Sequence, residues 1–254
     1  MARLTRTQIE QYQCDGYTVL EKALNDSAVA ALRSRVEAIA AGDLPFPTEC
    51  IEFDPGAPQE RHIDNLRKIN NPARHDPFFM DHATRTNLLD AVEALLGPDI
   101  KFFNDQLFIK GPGGIEKTYH QDSAYFPIEP MAILTAWVAL DDVTLKNGCL
   151  WVVPGSHLEG LKEHSDKWMV GDRQDQKVPD TAIDRGREQP ILLKAGDCSF
   201  HHSLLLHRSG ANHTATRRRG LATHYMGAHS RSTGEPKEQP DYPLLRGQQQ
   251  ANSV

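Results

Sequence analysis

Two histidines and one aspartate are the side chains of this sequence whose types and spacing best suit metal chemistry. His120 and Asp122 are two residues apart, and His207 follows far downstream. Two imidazoles and one carboxylate can bind one face of a non-haem Fe(II) ion and leave the other positions open for a cosubstrate and O₂. The three residues therefore predict an iron oxygenase centre.

The His-x-Asp pattern is weak by itself, because a chain with 12 histidines is expected to contain it by chance. Two further copies, at residues 62–64 and 164–166, stand in charged, polar stretches where solvated pairs are expected. His120 and Asp122 instead lie between two predicted strands. Alternate residues of a strand face the same side, so these two side chains could bind one metal.

The candidates for the third ligand are the histidines downstream of the triplet: His201, His202, His207, His213, His224 and His229. His201 and His202 are adjacent, so at most one of them can face the interior of a sheet. His207 ends an apolar predicted strand, where a ligand would be held rigidly and still be reachable by substrate. It is therefore the preferred third ligand, and Ser209 can share its face. The remaining histidines downstream of His207, which are His213, His224 and His229, are expected at the surface or behind the ligands.

Three consecutive arginines, at residues 217–219, open an otherwise apolar predicted strand. Such a run is normally a solvated face, but the apolar residues that follow indicate that at least one of these side chains points inward. A buried guanidinium needs an anion, and a dicarboxylate would supply one through two hydrogen bonds. The stretch is therefore a candidate cosubstrate anchor.

The elements that must position these residues form two regions. The N-terminal third is predicted to be helical, with a capping box at Thr5 and Gln8, a second helix capped by Ser27 and a third from Thr84 to Leu96. From residue 100 the pattern changes to short apolar strands separated by glycine, proline and asparagine turns. The predicted strands are 17–20, 100–109, 132–140, 149–153, 191–193, 198–206 and 220–226.

Many short strands with such turns predict a mainly β fold, with a jelly roll preferred. We expect one domain over residues 1–254, with a helical part at 1–98, a jelly-roll core at 99–228 and a tail at 229–254. Two polar stretches, 44–76 and 158–189, are predicted to be irregular excursions from this core. Such excursions often line pockets, and the sequence leaves open which of them forms a lid.

Composition narrows the class of protein further. The net charge of −6 argues against a general nucleic-acid binder. The mean hydropathy is −0.52, and no stretch is apolar enough for a membrane helix. The four cysteines are scattered without a C-x-x-C pair, and the N-terminus lacks an apolar signal core. Cytoplasmic residence is therefore the default expectation, and the oligomeric state stays open.

An ordered set of motifs resembles the phytanoyl-CoA dioxygenase family over roughly residues 4–226. The motifs are His120-Gln121-Asp122, Trp137, Asn147-Gly148-Cys149-Leu150, Pro154-Gly155-Ser156-His157 and His207-x-Ser209-x-x-Asn212 with Arg218. Members of this family are Fe(II)- and 2-oxoglutarate-dependent oxygenases. The resemblance implies a double-stranded β-helix, a form of jelly roll, with N-terminal helices packed on one side. It also implies Fe(II), 2-oxoglutarate and O₂ as cofactors.

The resemblance assigns roles to single residues as well. It implies that the iron ligands, which form the catalytic centre, are His120, Asp122 and His207. It implies that Arg218, assisted by Ser209, anchors the far carboxylate of 2-oxoglutarate. The further pocket residues that it implies are Trp137, Gln106 and Lys68.

The chemistry implied is oxidation of an unactivated C–H bond, with release of succinate and CO₂. Asp122 favours hydroxylation over halogenation, because related halogenases have alanine or glycine at that position. The expected substrate is a small metabolite or natural-product intermediate. The residues predicted to contact it are Gln121, Asn104, Tyr119, Tyr125, Ser123 and His202. The alternative is a non-oxidative metal-binding cupin, an isomerase or a sensor, and Arg218 and Ser209 argue against it.

Overall fold

The computed structural model describes residues 3–170, 173–234, 242–250 and 253–254. The α-helices in this part are α1 (Arg6–Asp15), α2 (Asp26–Ala41), α3 (Pro72–His75), α4 (Pro77–Ala83) and α5 (Thr86–Leu96). The strands are β1 (Tyr17–Leu20), β2 (Ile51–Phe53), β3 (Leu66–Asn70), β4 (Ile100–Lys110), β5 (Lys117–His120), β6 (Ile128–Glu129), β7 (Leu134–Ala139), β8 (Leu150–Val152), β9 (Asp166–Val170), β10 (Arg173–Lys177), β11 (Gln189–Ile191), β12 (Cys198–His202), β13 (His207–Ser209), β14 (Arg218–Gly227), β15 (Arg231–Ser232) and β16 (Leu244–Arg246). None of the described helices is both long and apolar enough to cross a membrane.

Two antiparallel sheets form the core. The larger sheet has the strand order β1-β12-β7-β14-β4-β3-β2, with β16 also pairing β4, and the smaller sheet has the order β11-β8-β13-β5. Apolar side chains of both sheets pack together, among them Trp137 and Ala222 from the larger and Val152 and Ile191 from the smaller. Neighbouring strands come from distant parts of the chain, as in a jelly roll. The predicted double-stranded β-helix is confirmed.

The N-terminal helices cover the other face of the larger sheet. On β14, Leu221 belongs to the cluster under the helices, while Ala222 belongs to the cluster between the sheets. This division follows from the alternation of side chains along a strand. Val36 of α2 and Val92 of α5 are fully buried in the same outer cluster. The predicted packing of helices on one side is therefore observed.

The helix ends follow local rules that the sequence shows only in part. The predicted capping box of Thr5 and Gln8 is present at the start of α1. The second prediction is wrong by two residues, because Asn25 rather than Ser27 caps α2 and accepts a hydrogen bond from the Ala28 N–H. The third predicted helix begins at Thr86, after two short helices that each have a proline in the first turn.

Three predictions about the strands are corrected. The stretch 44–76 is not only an irregular excursion, because it contributes β2 and β3 to one edge of the larger sheet. The stretch 158–189 contains the hairpin of β9 and β10. The predicted strand 198–206 ends at His202, because residues 203–206 form a turn in which the Leu205 N–H donates to the His202 carbonyl. The next strand, β13, begins at His207 in the smaller sheet. Part of the tail also joins the core, because β16 pairs β4 of the larger sheet, while β15 and β6 form a separate two-stranded sheet.

Candidate active site

The two candidate histidine ligands face each other across a pair of strands. His120 is the last residue of β5 and His207 is the first residue of β13, and the two residues are direct partners in the ladder. Their rings have centroids 4.2 Å apart. Asp122 lies in the 3-10 turn that follows β5. His120 and Asp122 therefore do not share one strand, which differs from the prediction. The turn nevertheless brings the carboxylate back to the histidines.

The ligand atoms of these three residues all lie within 4.8 Å of one another. Asp122 Oδ1 is 3.8 Å from His120 Nε2 and 3.7 Å from His207 Nε2. Two nitrogens and one oxygen at such separations can bind one ion on one face. Among the described residues, this is the one group of three or more histidine, cysteine or acidic side chains with that geometry.

Hydrogen bonds fix which nitrogen of each histidine is available to a metal. His120 Nδ1 lies 2.8 Å from the Thr118 carbonyl oxygen, and His207 Nδ1 lies 2.9 Å from the Leu205 carbonyl oxygen. A carbonyl oxygen only accepts, so both Nδ1 atoms carry the proton and both Nε2 atoms keep a lone pair. Burial lowers the pKa of both histidines, which keeps them neutral. The residues present therefore fit a bound Fe(II) ion.

The other two His-x-Asp copies are engaged elsewhere. The Asp64 carboxylate accepts two hydrogen bonds from Arg217, of 2.6 and 2.8 Å. His164 Nε2 accepts a hydrogen bond of 3.0 Å from the Gln121 N–H. One member of each pair is therefore engaged within the protein, so these pairs are not simply solvated as predicted.

A cavity of about 240 Å³ extends from the metal ligands between the two sheets. Its floor is the inner face of the larger sheet, and all five residues predicted to bind the cosubstrate border it. These residues are Lys68, Gln106, Trp137, Ser209 and Arg218. Among the predicted substrate contacts, Tyr125 also borders the cavity. The structure thus brings the predicted ligands and the predicted cosubstrate residues to one place.

The three consecutive arginines have different surroundings. Arg217 pairs with Asp64 and Arg219 pairs with Asp141, at nitrogen–oxygen distances of 2.6 and 2.9 Å. Arg218 is 3 % exposed and borders the cavity. Within the described part of the chain, no carboxylate lies at ion-pair distance from Arg218, and its Nε atom has no hydrogen-bond partner. Strand alternation explains the difference, because the middle arginine faces the opposite side of β14 from its neighbours.

Trp137 is held beside this arginine by a glycine. The Arg218 guanidinium lies over the Trp137 ring, 5.3 Å from its centroid. A Cβ atom at Gly220 would lie 1.9 Å from the Trp137 ring, so only glycine leaves room for the indole. Arg218 also donates a hydrogen bond of 2.7 Å to the Gly148 carbonyl oxygen. The charged end of the pocket is therefore fixed by packing as well as by hydrogen bonds.

Lys110 is a pocket residue that the sequence reasoning missed. Its Nζ atom lies 3.0 Å from Ser209 Oγ, and its side chain is buried in the wall of the cavity near Arg218. Burial lowers its pKa well below the usual value. The signal was available, because Lys110 lies on the same face of β4 as Gln106 by strand alternation. Lys68, in contrast, is paired with Glu52 at 3.2 Å.

Several predicted substrate residues lie away from the cavity. Gln121 is fully buried, and its amide group donates to the Gly160 and Leu204 carbonyl oxygens and accepts from the Lys162 N–H. It therefore fastens the start of the 158–189 stretch behind the ligands instead of facing the reacting centre. The other predicted contacts that do not border the cavity are Asn104, Tyr119, Ser123 and His202. Strand alternation directs Tyr119 and His202 away from the cavity, and the turn after β5 directs Ser123 away from it. Asn104 shares the face of Gln106 on β4 by strand alternation but does not border the cavity.

The 158–189 stretch contacts residues that border the cavity, although none of its own described residues borders it. Trp168 of β9 lies between two cations that border the cavity, 5.3 Å from Arg67 and 4.9 Å from Lys117. The Tyr125 hydroxyl donates a hydrogen bond of 2.6 Å to the Gln176 carbonyl oxygen of β10. Of the two excursions, the 44–76 stretch borders the cavity directly, through Asp54, Arg67 and Lys68.

Similar proteins have the same fold and related chemistry. The chain is 29 % identical to the peroxisomal phytanoyl-CoA dioxygenase of Homo sapiens, over 89 % of this chain and 69 % of the relative. It is 27 % identical to a probable alpha-ketoglutarate-dependent hypophosphite dioxygenase of Stutzerimonas stutzeri, over 87 % of this chain and 78 % of the relative. One similar solved structure is EctD from S. alaskensis with 2-oxoglutarate and 5-hydroxyectoine, which has a TM-score of 0.76 and 24 % identity and covers 99 % of this chain and 87 % of that chain. Another is the epimerase SnoN from nogalamycin biosynthesis, which has a TM-score of 0.72 and 24 % identity and covers 95 % of this chain and 98 % of that chain.

The match to a family model covers most of the chain and includes all three candidate ligands. Residues 12–220 match the phytanoyl-CoA dioxygenase (PhyH) model. That range also contains the buried arginine and the lysine beside it, so the whole charged end of the cavity lies within the match. The chain therefore belongs to the phytanoyl-CoA dioxygenase family and is an iron- and 2-oxoglutarate-dependent dioxygenase.

Proposed function

We propose that His120, Asp122 and His207 hold Fe(II), and that this centre hydroxylates an unactivated C–H bond of a small molecule. In the balanced reaction, 2-oxoglutarate is oxidised to succinate and CO₂, and O₂ supplies one oxygen atom to succinate and one to the product. Arg218 binds the far carboxylate of 2-oxoglutarate. Ser209 and Lys110 would assist in holding that carboxylate, and Trp137 packs against the Arg218 guanidinium.

One observation carries this proposal. The cavity that the ligands border also contains a buried guanidinium without a carboxylate partner among the described residues. A buried charge that lacks a partner is costly, so a cavity that retains one is suited to an anionic ligand. A non-oxidative cupin would need the metal ligands but no such anchor. Arg218 thus favours the oxygenase over an isomerase or a sensor.

In this reaction the protein side chains position the reactants and fix the protonation states of the metal ligands. Neutral His120 and His207 present Nε2 lone pairs, while Asp122 stays ionised. Burial alone would raise the pKa of Asp122, but its electrostatic interaction with nearby histidines, above all His207, brings it well below its usual range. When bound, Fe(II) with 2-oxoglutarate supplies the activation of O₂. Trp137 and the apolar wall exclude water from the cosubstrate.

The cavity favours a compact substrate. Its volume of about 240 Å³ is below the usual range of roughly 300–1,000 Å³ for ligand pockets, and the cosubstrate takes part of it. We therefore propose a small metabolite or natural-product intermediate. The relatives differ in what they act on, since one is named for phytanoyl-CoA and another for hypophosphite. We also propose a cytoplasmic location, because all four cysteines are free thiols.

The test uses the iron-loaded protein under anaerobic conditions. Addition of 2-oxoglutarate is expected to produce a metal-to-ligand charge-transfer band, and absence of the band would refute the oxygenase proposal. His207→Ala should lose both the iron and the band. His213→Ala is the matched control, because His213 is exposed and does not border the cavity. A His207→Ala protein that retained one iron per chain would refute the ligand assignment. Stimulation of succinate release then serves to screen for substrates.

A further inference from the structure

A row of three polar side chains crosses the floor of the cavity beside Asp122. His201 of β12 pairs with Thr135 of β7, and Thr135 pairs with His224 of β14. All three side chains are almost completely buried and border the cavity. A row of polar groups inside an otherwise apolar sheet needs partners. The mechanism described so far uses none of the three.

The two oxygens of the Asp122 carboxylate have different neighbours. Oδ1 faces the ligand histidines, at 3.8 Å from His120 Nε2 and 3.7 Å from His207 Nε2. Oδ2 faces the polar row and lies 3.2 Å from Thr135 Oγ1 and 3.7 Å from His201 Nε2. The carboxylate is therefore divided between the metal position and the sheet.

Hydrogen-bond chemistry fixes the direction of the contacts through Thr135. The ionised Asp122 carboxylate can only accept, so the Thr135 hydroxyl must donate its single proton to Oδ2. That hydroxyl cannot also donate to His224 Nδ1, which lies 2.8 Å away. His224 Nδ1 must therefore carry a proton and donate it to Thr135 Oγ1. His224 Nε2 then keeps a lone pair, and this atom has no hydrogen-bond partner among the described residues.

We propose that His224 and Thr135 form a hydrogen-bond relay that holds Asp122 Oδ2 and so reserves Oδ1 for the metal. The proposal rests on the proposed function, because it needs a metal at the His120, Asp122 and His207 site. Thr135 and His224 are positioning residues in this relay. Loss of a side chain that hydrogen-bonds to a metal ligand typically weakens metal binding by about 10- to 100-fold.

The first experiment measures Fe(II) affinity by anaerobic equilibrium dialysis. Thr135→Val keeps the shape of the side chain and removes the hydroxyl, and we expect it to bind Fe(II) about 10- to 100-fold more weakly. Thr135→Ser keeps the hydroxyl and is the matched control, with affinity close to that of the wild type. Thermal unfolding of both metal-free proteins checks that they are folded. A Thr135→Val protein with wild-type Fe(II) affinity would overturn the relay.

A second measurement does not depend on a variant at Thr135. In the Zn(II)-loaded protein, ¹⁵N NMR of the His224 ring should show a proton on Nδ1 and none on Nε2. His224→Asn can still donate at the Nδ1 position and should retain more Fe(II) affinity than His224→Phe, which cannot. A His224 ring protonated on Nε2, or equal affinities in these two variants, would contradict the proposal.

The outcomes separate this proposal from the proposed function. A wild-type protein that binds no Fe(II) would refute the function itself. A wild-type protein that binds Fe(II) and gives the 2-oxoglutarate band, with a Thr135→Val variant that binds equally well, would refute the relay alone.

Discussion

Replacement of Arg218 by methionine tests the cosubstrate site most directly. The change keeps most of the side-chain volume and removes the charge. Burial lowers the pKa of Arg218 to about 10, well below its ordinary value. At about 1.4 kcal/mol for each tenfold change, that corresponds to a penalty of roughly 3 kcal/mol on the charged form. In the absence of 2-oxoglutarate, Arg218→Met should therefore be at least as stable as the wild type.

The same substitution should weaken the binding of 2-oxoglutarate, although it does not lower the stability of the protein without this cosubstrate. A hydrogen bond to a charged group contributes about 1.5–3 kcal/mol, so loss of the guanidinium should weaken 2-oxoglutarate binding by roughly 10- to 150-fold. At a concentration of 100 times its Kd, 2-oxoglutarate should stabilise the wild type by about 2.7 kcal/mol. If binding is 100-fold weaker, the same concentration should stabilise Arg218→Met by only about 0.4 kcal/mol.

The assay is chemical denaturation of the Fe(II)-loaded protein under anaerobic conditions, with and without 2-oxoglutarate. The matched control is Arg217→Met, which removes a neighbouring arginine that pairs with Asp64. This control should keep the full cosubstrate stabilisation. Iron binding should be unchanged in both variants. If 2-oxoglutarate stabilised Arg218→Met as much as the wild type, the anchor assignment would be wrong.

Three further predictions concern the same cavity. Lys110→Met should weaken 2-oxoglutarate binding by about tenfold, because one charged contact is lost. Titration of the charge-transfer band measures this binding, and an unchanged affinity would show that Lys110 does not contact the cosubstrate. Gly220→Ala should lower the free energy of unfolding by about 1–3 kcal/mol, because the new Cβ displaces Trp137. Gly210→Ala, whose Cβ would meet no atom closer than 3.6 Å, is the control that should show little change in the same denaturation assay. Burial lowers the pKa of His120 well below its usual 6.5, so protons should compete with Fe(II) only in acid; a steep loss of Fe(II) affinity between pH 7 and 6 would contradict this.

The three arginines show where prediction from sequence reaches its limit. The run at residues 217–219 at the start of an apolar strand indicated that at least one guanidinium is buried, and the family resemblance selected Arg218. Spacing alone could not exclude its neighbours. The two neighbouring arginines pair with the carboxylates of Asp64 and Asp141. These aspartates are far away in the chain, so only the folded structure brings them into contact with the arginines.

Gln121 shows the opposite case. Its position between two ligands suggested that its side chain approaches the reacting centre. The chain turns after His120, and this turn directs the amide of Gln121 to carbonyl oxygens at Gly160 and Leu204. A turn that changes the direction of one side chain is decided by contacts distant in sequence, and strand alternation cannot predict it.

The sequence by itself predicted the mainly β class, because that class depends on local periodicity, and its resemblance to the family supplied the candidate metal ligands and cosubstrate residues. The tertiary structure decided the rest. It ended the predicted strand 198–206 at His202 and turned the chain into the smaller sheet at His207, which places His207 opposite His120 and leaves His201 on the cavity floor. It also placed Lys110 beside Ser209 and aligned His201, Thr135 and His224 in one row. The physical reason is that strand register and sheet pairing join residues far apart in the chain, and no local pattern records which strands become neighbours.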